Sequence, residues 1–332
     1  MAKVLTIVIP AYNVEQYIDR CLESVTTHVD SLDDLEIIVV NDGSKDNTLE
    51  LAQRYAVKYP QSVRVIDKPN GGWGSGINRG IEEATGKYLK TLDSDDWFNT
   101  ANIDAFVALL KQLEVDMVLT SFSEVDADNH VREKNVSTPL SSKVMSIDDY
   151  LVKNNYELGA PIHTVTYRTA VLQESGYKVY ERFYGDLDYI TTPLIHVNTI
   201  YLSPLNIYQY FLGREGQSVS IAGYNAHIDD FLAVCKKSIC FWSEYENQFS
   251  QAFRRFILSS TVGRIRWAYI LLLSPVYSGK KLDSVGKLKR LDALVKRDRT
   301  LYSLTNKITT KRVIPWIYIW RKTGINIFNL SV

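Results

Sequence analysis

Short runs of β-branched and aliphatic residues alternate, over the first hundred positions, with stretches in which apolar residues recur every three or four. Continuous apolar runs of four to eight residues predict strands buried on both faces, and the helical stretches between them predict crossovers. Together they predict an α/β fold: a mostly parallel sheet covered by helices. Strands are expected over Val4–Ile9, ended by Pro10, then over Leu35–Val40, Val63–Ile66 and Tyr88–Leu92. Tyr17, Ile18, Cys21, Leu22 and Val25 place a helix over Val14–Val25, and a second is expected over Asn47–Tyr59. Between the third and fourth strands, "KPNGGWGSGINRG" reads as a glycine-rich loop running into a helix that ends at Gly86.

Further along, a helix is expected over Ala101–Leu113, a strand in "DMVLTSFSEV", a hairpin or loop in "SEVDADNHVREKN" and a short helix over Ile147–Asn154. "APIHTVTYRTAVLQESG" reads as a strand and helix, "FYGDLDYITTPLIHV" as the start of another helix, and "TIYLSPLNIYQYFLG" as a strand. After about Gly216 the pattern changes to long helical periods, few glycines and clustered lysine and arginine. The expected division is therefore an α/β domain over 1–216 and a helical, basic region over 217–332, within what 332 residues can hold.

Lysine plus arginine and aspartate plus glutamate number 38 each, so no nucleic-acid partner is expected. Three cysteines without a CxxC spacing argue against a disulfide framework and a zinc knuckle, and fit a reducing compartment. The N-terminal apolar run is too short for a signal sequence, and no run of about 18 uncharged apolar residues occurs. The expectation is a cytoplasmic protein without a membrane span.

Chemistry concentrates where strands end. "LDSDDW" crowds Asp93, Asp95 and Asp96 at the carboxyl end of the fourth strand, where open α/β sheets bind ligands. Like charges so close repel; either a hard cation such as Mg²⁺ or Mn²⁺ neutralises them, or they form a solvated turn that caps the next helix. Extended backbone puts Asp93 and Asp95 on the same side. "VVNDGS" is either an Asx-Gly turn or a strand end presenting Asp42 to the N–H edge of a nucleobase. The glycines at 71, 72, 74 and 76 admit close approach of a phosphate or a flexible turn, and neither GxGxxG nor GxxxxGK[ST] is present.

"TIVIPAYNVEQYIDRCLESV", "EIIVVNDGSKDNT" and "NRGIEEATGKYLKTLDSDDW", in this order and spacing, resemble family 2 glycosyltransferases, most closely over residues 1–100 and onward to about 220. The resemblance implies a GT-A nucleotide-sugar-binding domain and an inverting, metal-dependent hexosyltransferase. It implies a UDP-sugar donor, Mn²⁺ or Mg²⁺, and a glycan acceptor. Pro10, Ala11 and Tyr12 would line the base and ribose pocket with Glu15 nearby, and Asp42 would read the base. Asp93, followed by Ser94, would approach the ribose or sugar. Asp95 would be the main metal ligand with Asp93 beside it, and Asp96 would orient the sugar or cap the following helix. The family often carries an arginine before the asparagine of its "RNxG" segment; here Ile77 precedes Asn78, which would bind the donor, and Arg79 or Lys68 are the substitutes for a phosphate contact.

The resemblance also implies a single carboxylate base about ninety residues after the DxD, and "YGDLDY" supplies Asp186, with Gly185 where glutamate is usual and Asp188 in reserve. An N-cap role is the alternative for Asp186. "GREGQSVS" resembles a mobile loop whose Arg214 would pair with phosphate. Basic residues interleaved with Trp267, Trp316 and Trp320 in the tail suit an anionic membrane surface. That would place the enzyme at the inner face of the cell membrane with a lipid-linked or surface-polysaccharide acceptor; a homo-oligomer interface is the alternative. A sugar-phosphate nucleotidyltransferase and a non-catalytic nucleotide-sugar-binding protein are the rival functions.

Overall fold

The computed structural model describes residues 2–134, 142–213, 221–273, 283–309 and 315–325. The chain divides into two compact units, Met1–Asn154 with Leu158–Arg214, and Asn155–Glu157 with Glu215–Val332.

The first unit is a ten-stranded sheet with helices on its faces. Its strands are β1 (Leu5–Ala11), β2 (Leu35–Asn41), β3 (Val63–Asp67), β4 (Tyr88–Thr91), β5 (Trp97–Phe98), β6 (Met117–Val125), β7 (Val131–Lys134), β8 (Val144–Ser146), β9 (Val165–Arg168) and β10 (Thr199–Phe211). The order is β3-β2-β1-β4-β9-β6-β10-β5, with β7 on β6 and β8 on β10. β3, β2, β1 and β4 run parallel, as do β6 and β10, while β9 is an antiparallel wedge between β4 and β6. Helices α1 (Ile18–Thr26), α2 (Thr48–Lys58), α3 (Trp73–Glu83), α4 (Thr100–Gln112), α5 (Ile147–Lys153), α6 (Thr169–Gln173) and α7 (Gly185–Tyr189) complete it. Leu5, Ile7, Ile9 and Ala11 join Ile18, Leu22, Ile103 and Phe106 in one core, and Val8 and Pro10 face α3.

Several boundaries differ from the sequence reading, each for a physical reason. β1 runs through Pro10 to Ala11. The carbonyl of Val8 accepts from Leu92 on the β4 side, whereas that of Ala11 accepts from Asp42 on the β2 side. By the alternation of a strand the nitrogen of Pro10 faces the β4 side, past the end of that ladder, so no bond is lost. α1 starts at Ile18 because the amides of Asn13, Val14 and Glu15 are taken by Ser44 Oγ, Thr48 Oγ1 and Asp46 Oδ2.

α3 begins inside the expected glycine loop. A Cβ on Gly80 would lie 2.1 Å from Val8 Cγ1, and one on Gly76 would lie 3.0 Å from Pro10 Cβ. These glycines seat the helix on β1 rather than loosening a loop.

The second unit is helical: Ile221–Ala226, Ile228–Tyr245, Gln251–Leu273, Ser284–Val295, Arg299–Asn306 and Trp316–Thr323 among the described residues. Asp292 accepts from Arg321 Nε (2.7 Å), Lys296 Nζ (2.8 Å) and the Tyr269 hydroxyl, a buried charge cluster held by satisfied hydrogen bonds. Among the described residues Gln251–Leu273 is the one helix long and apolar enough to cross a membrane by length and composition; half of its most apolar stretch is buried. That stretch includes Arg264, whose guanidinium donates to Ser238 Oγ at 2.7 Å. The tail tryptophans correct the sequence reading in part: Trp316 is buried, and Trp267 and Trp320 pack edge-on against Tyr224 and Tyr269.

Candidate active site

The carboxyl ends of β1, β2 and β4 bring the candidate residues toward one edge of the sheet. Pro10 and Ala11 close β1, and Tyr12, 48% exposed, follows them. Glu15 lies over the start of α2, where its Oε2 accepts from the backbone and side-chain nitrogens of Asn47, both at 2.9 Å.

Asp42 is buried at the end of β2. Its carboxylate accepts from the amides of Gly71 (2.9 Å) and Gly72 (2.7 Å) and from Lys68 Nζ. Its carbonyl accepts from Asn70 Nδ2. Lys68, not Arg79, therefore stands at this end of the site; Arg79 pairs with Glu82 and Glu83 along α3. The next residue, Trp73, donates its indole N–H to Asp93 Oδ1 at 2.8 Å. Three consecutive residues, 71 to 73, thus connect Asp42 to the acidic cluster.

Within that cluster the aspartates separate by environment. Asp93 and Asp95 are half-buried, and Arg20 donates to the Asp95 carbonyl at 2.9 Å while its guanidinium stacks on Trp97. Ser94 is buried between them. Asp96, 1% exposed, accepts from Tyr208 Oη (2.6 Å) and the Phe211 amide (2.8 Å). Burial, then repulsion from Asp95 and Asp93, pushes its carboxyl well above the ordinary range. The cap alternative for Asp96 fails, since α4 starts after Asn99 and both Asp96 oxygens are engaged with β10. Tyr208 Oη also accepts from the Asp93 amide at 3.1 Å, so one hydroxyl from β10 holds both ends of the turn.

Asp186 sits in the first turn of α7 and is half-buried; the N-cap position is Tyr184, in the left-handed region at φ 65°, so Asp186 does not cap the helix. Its charge, with those of Asp96, Asp93 and Asp95, bears on the hydroxyl of Tyr210, which burial first and these carboxylates next push up to about 12. Tyr210 therefore lies within electrostatic reach of both the acidic turn and α7. Asp188 is different: buried, it accepts from Tyr177 Oη (3.0 Å), the Tyr180 amide (3.2 Å) and Thr192 Oγ1 (2.6 Å), all bonds that fasten α7 to its surroundings.

Gly185 cannot be exchanged for the glutamate usual at that place, because a Cβ there would lie 2.4 Å from the Tyr180 carbonyl. Asn78 is also taken up by the scaffold: its amide donates to the Val179 carbonyl (3.0 Å) and accepts from the Val179 amide (2.8 Å), which turns it away from the donor role expected of it. Arg214 lies outside the described residues.

Two further groups lie outside the acidic turn and α7. His163 is packed among Phe122, Tyr208 and Tyr210, and burial followed by the neighbouring Lys90 charge pulls its pKa down to about 3. Asp126, Asp128 and His130 come close enough to share an ion, but Asp126 already accepts from the Asp128 and His130 amides in the turn between β6 and β7. Sequence reasoning missed Trp73, Tyr208 and Tyr210. The two tyrosines lie over a hundred residues from the acidic turn and carry no local signal, whereas the tryptophan among glycines was visible but looked like loop.

Residues 6–176 match the profile of glycosyl transferase family 2, and the chain belongs to that family. It is 37% identical over 128 residues to the uncharacterized glycosyltransferase EpsJ of Bacillus subtilis, an alignment covering 39% of this chain and 36% of that protein. The match thus spans little more than a third of EpsJ's length. In structure the chain is similar to Staphylococcus aureus TarS 1–349 in complex with UDP-GlcNAc: TM-score 0.71, 19% identity, 98% of this chain and 89% of that one. A mannosyltransferase of Pyrobaculum calidifontis, solved with GDP-Man and Mn²⁺, aligns at a TM-score of 0.51 and 14% identity over 92% of this chain and 83% of its own. The mixed α/β sheet with a helical C-terminal region is thus the GT-A architecture. Family membership sets aside the nucleotidyltransferase alternative.

Proposed function

We propose that this chain is an inverting glycosyltransferase that moves a hexose from a UDP-sugar to a hydroxyl of a glycan acceptor. The observation that carries the reading is the joining of Asp42 to Asp93 through Gly71, Gly72 and Trp73, with Asp93, Asp95 and Asp186 all within electrostatic reach of Tyr210. TarS, solved with UDP-GlcNAc, supports a uridine nucleotide as carrier.

The donor set fits a hard divalent cation, since Asp93 and Asp95 are half-buried carboxylates at a strand end and Asp96 is turned away to β10. Asp95 with Asp93 would hold Mn²⁺ or Mg²⁺, which when bound neutralises charge on a departing diphosphate. The mannosyltransferase solved with Mn²⁺ supports such a site. Pro10, Ala11 and Tyr12 line the nucleoside end, with Glu15 holding the adjoining turn. Asp42 holds the 71–73 loop and keeps lone-pair capacity for a base N–H.

Asp186 is the base. As the acceptor oxygen forms its bond to the anomeric carbon, Asp186 takes the hydroxyl proton. The bond from that carbon to the diphosphate oxygen breaks, and UDP leaves with the electron pair. Attack from the face opposite UDP inverts the anomeric centre.

The test is UDP release from UDP-GlcNAc and other UDP-sugars with and without Mn²⁺. Asp95→Ala is expected to abolish metal-supported turnover. Asp186→Asn is expected to lower transfer about 10²- to 10⁴-fold, the usual worth of a positioned base, while UDP affinity stays within about twofold. Activity in Asp186→Asn with loss in Asp188→Asn at unchanged melting temperature would move the role to Asp188. The binding-protein alternative requires UDP-sugar affinity without release under any of these conditions.

A further inference from the structure

The segment around Trp73 is built to a tolerance that a loop does not need. Gly72, at φ 95°, would place a Cβ 2.6 Å from the Glu181 carbonyl, and Gly74 would place one 2.0 Å from the Tyr180 carbonyl. The Gly74 amide donates to the Glu181 carbonyl at 2.8 Å. From the other side, a Cβ on Gly185 would meet that same Tyr180 carbonyl at 2.4 Å and the Trp73 ring at 3.3 Å. Three positions without side chains therefore press the start of α3, the 180–182 backbone and the start of α7 together around one indole. That indole is half-exposed and donates to Asp93 at 2.8 Å. Position 77, one turn further along α3 and often arginine in this family, is a fully buried isoleucine.

We propose that Trp73 is a positioning residue. Its N–H fixes the Asp93 carboxylate, and its ring, wedged at Gly185, sets the separation between the donor-side carboxylates and the helix that carries Asp186. The inference rests on the reading of Asp93 and Asp186 given above. It adds that the geometry of transfer depends on a residue that need not touch the uridine at all. A misplacement of the reacting groups by about 1 Å costs on the order of 100-fold in rate.

Trp73→Phe keeps a ring and removes the N–H, and a hydrogen bond to a charged group is worth roughly 10- to 100-fold. With UDP-GlcNAc as donor, kcat is expected to fall by about that factor, with the donor KM and the UDP Kd within about twofold. Adding Trp73→Phe to Asp93→Ala is expected to cause no further loss, because the alanine already removes the acceptor and the two changes break one interaction. Gly185→Glu, which restores the acidic pair usual in the family, is expected to lose turnover rather than gain it. The contact itself is read without donor or turnover from ¹⁵N-indole spectra: the resonance absent in Trp73→Phe shifts in Asp93→Ala, which has no acceptor. An unshifted resonance, an unchanged kcat, additive losses, or a parallel fall in kcat, UDP affinity and melting temperature would each overturn the proposal. Absence of both UDP binding and turnover in the wild-type protein would overturn the transferase reading instead, and the indole shift would still decide whether Trp73 holds Asp93.

Discussion

Lys90 shows how far a single residue departs from what its type suggests. It lies mid-strand in β4 between β1 and β9, fully buried, and donates to the carbonyls of His163 (2.8 Å) and Val165 (3.3 Å). Burial pulls its pKa down from 10.5 to about 7. Between those values the unfolded chain holds a proton that the folded chain has released. Stability should therefore rise with pH from about 7 toward 10.5, by up to about 1.4 kcal/mol per unit, and carry the full burial cost below 7. Lys90→Met should remove that slope, which urea denaturation at pH 6, 7, 8 and 9 measures directly. Equal slopes in both proteins would show that the lysine keeps its charge when buried. At the same scale, Asp42, Asp93 and Asp95 were legible as strand-end carboxylates. The scaffold bonds of Asp188 were not, because the Tyr177 hydroxyl, the Tyr180 amide and the Thr192 hydroxyl are brought to it by the fold.

Among elements, α3 is the one whose character the sequence concealed. Gly71, Gly72, Gly74, Gly76 and Gly80 resemble a flexible loop when read alone, yet from Gly74 onward they are the contact face of a helix laid on β1 and the 179–182 backbone. Gly80→Ala gains helix propensity but drives a methyl into Val8, so it should destabilise the protein by roughly 1–3 kcal/mol. A urea midpoint equal to or above that of the wild type would show that β1 yields freely. The short strands β5 and β8 had no periodicity to read. They exist because β10 is long enough, at 13 residues, to offer pairing edges to both.

For the whole molecule, the second unit narrows the membrane proposal. Lys287, Arg290 and Lys296 pair with Asp229, Asp283 and Asp292, and Arg321 is buried against Asp292. Lys289, Arg297, Arg299, Lys307 and Lys322 remain exposed. With Trp316 in the core, attachment to an anionic surface should be electrostatic, about 1 kcal/mol for each basic residue near it, and reversed by salt. Flotation should recover the protein on anionic vesicles at low salt and not on neutral ones. Equal recovery on both, or none on either, favours the homo-oligomer account of this region and leaves the transferase reading untouched.

By itself the sequence determined the order of strands and helices through β4 and the placing of carboxylates at strand ends, because burial period and strand-end position are local properties. Only the tertiary structure decided which polar side chains the scaffold claims. Asp96 is claimed by Tyr208 and Phe211, Asp188 by Tyr177 and Thr192, and Asn78 by Val179. A hydrogen bond between residues about a hundred positions apart leaves no periodic trace in the chain. The same holds for Trp73, whose partners Asp93 and Gly185 are set by backbone approach across glycines. An absent Cβ reads as flexibility until the neighbour that excludes it is in place.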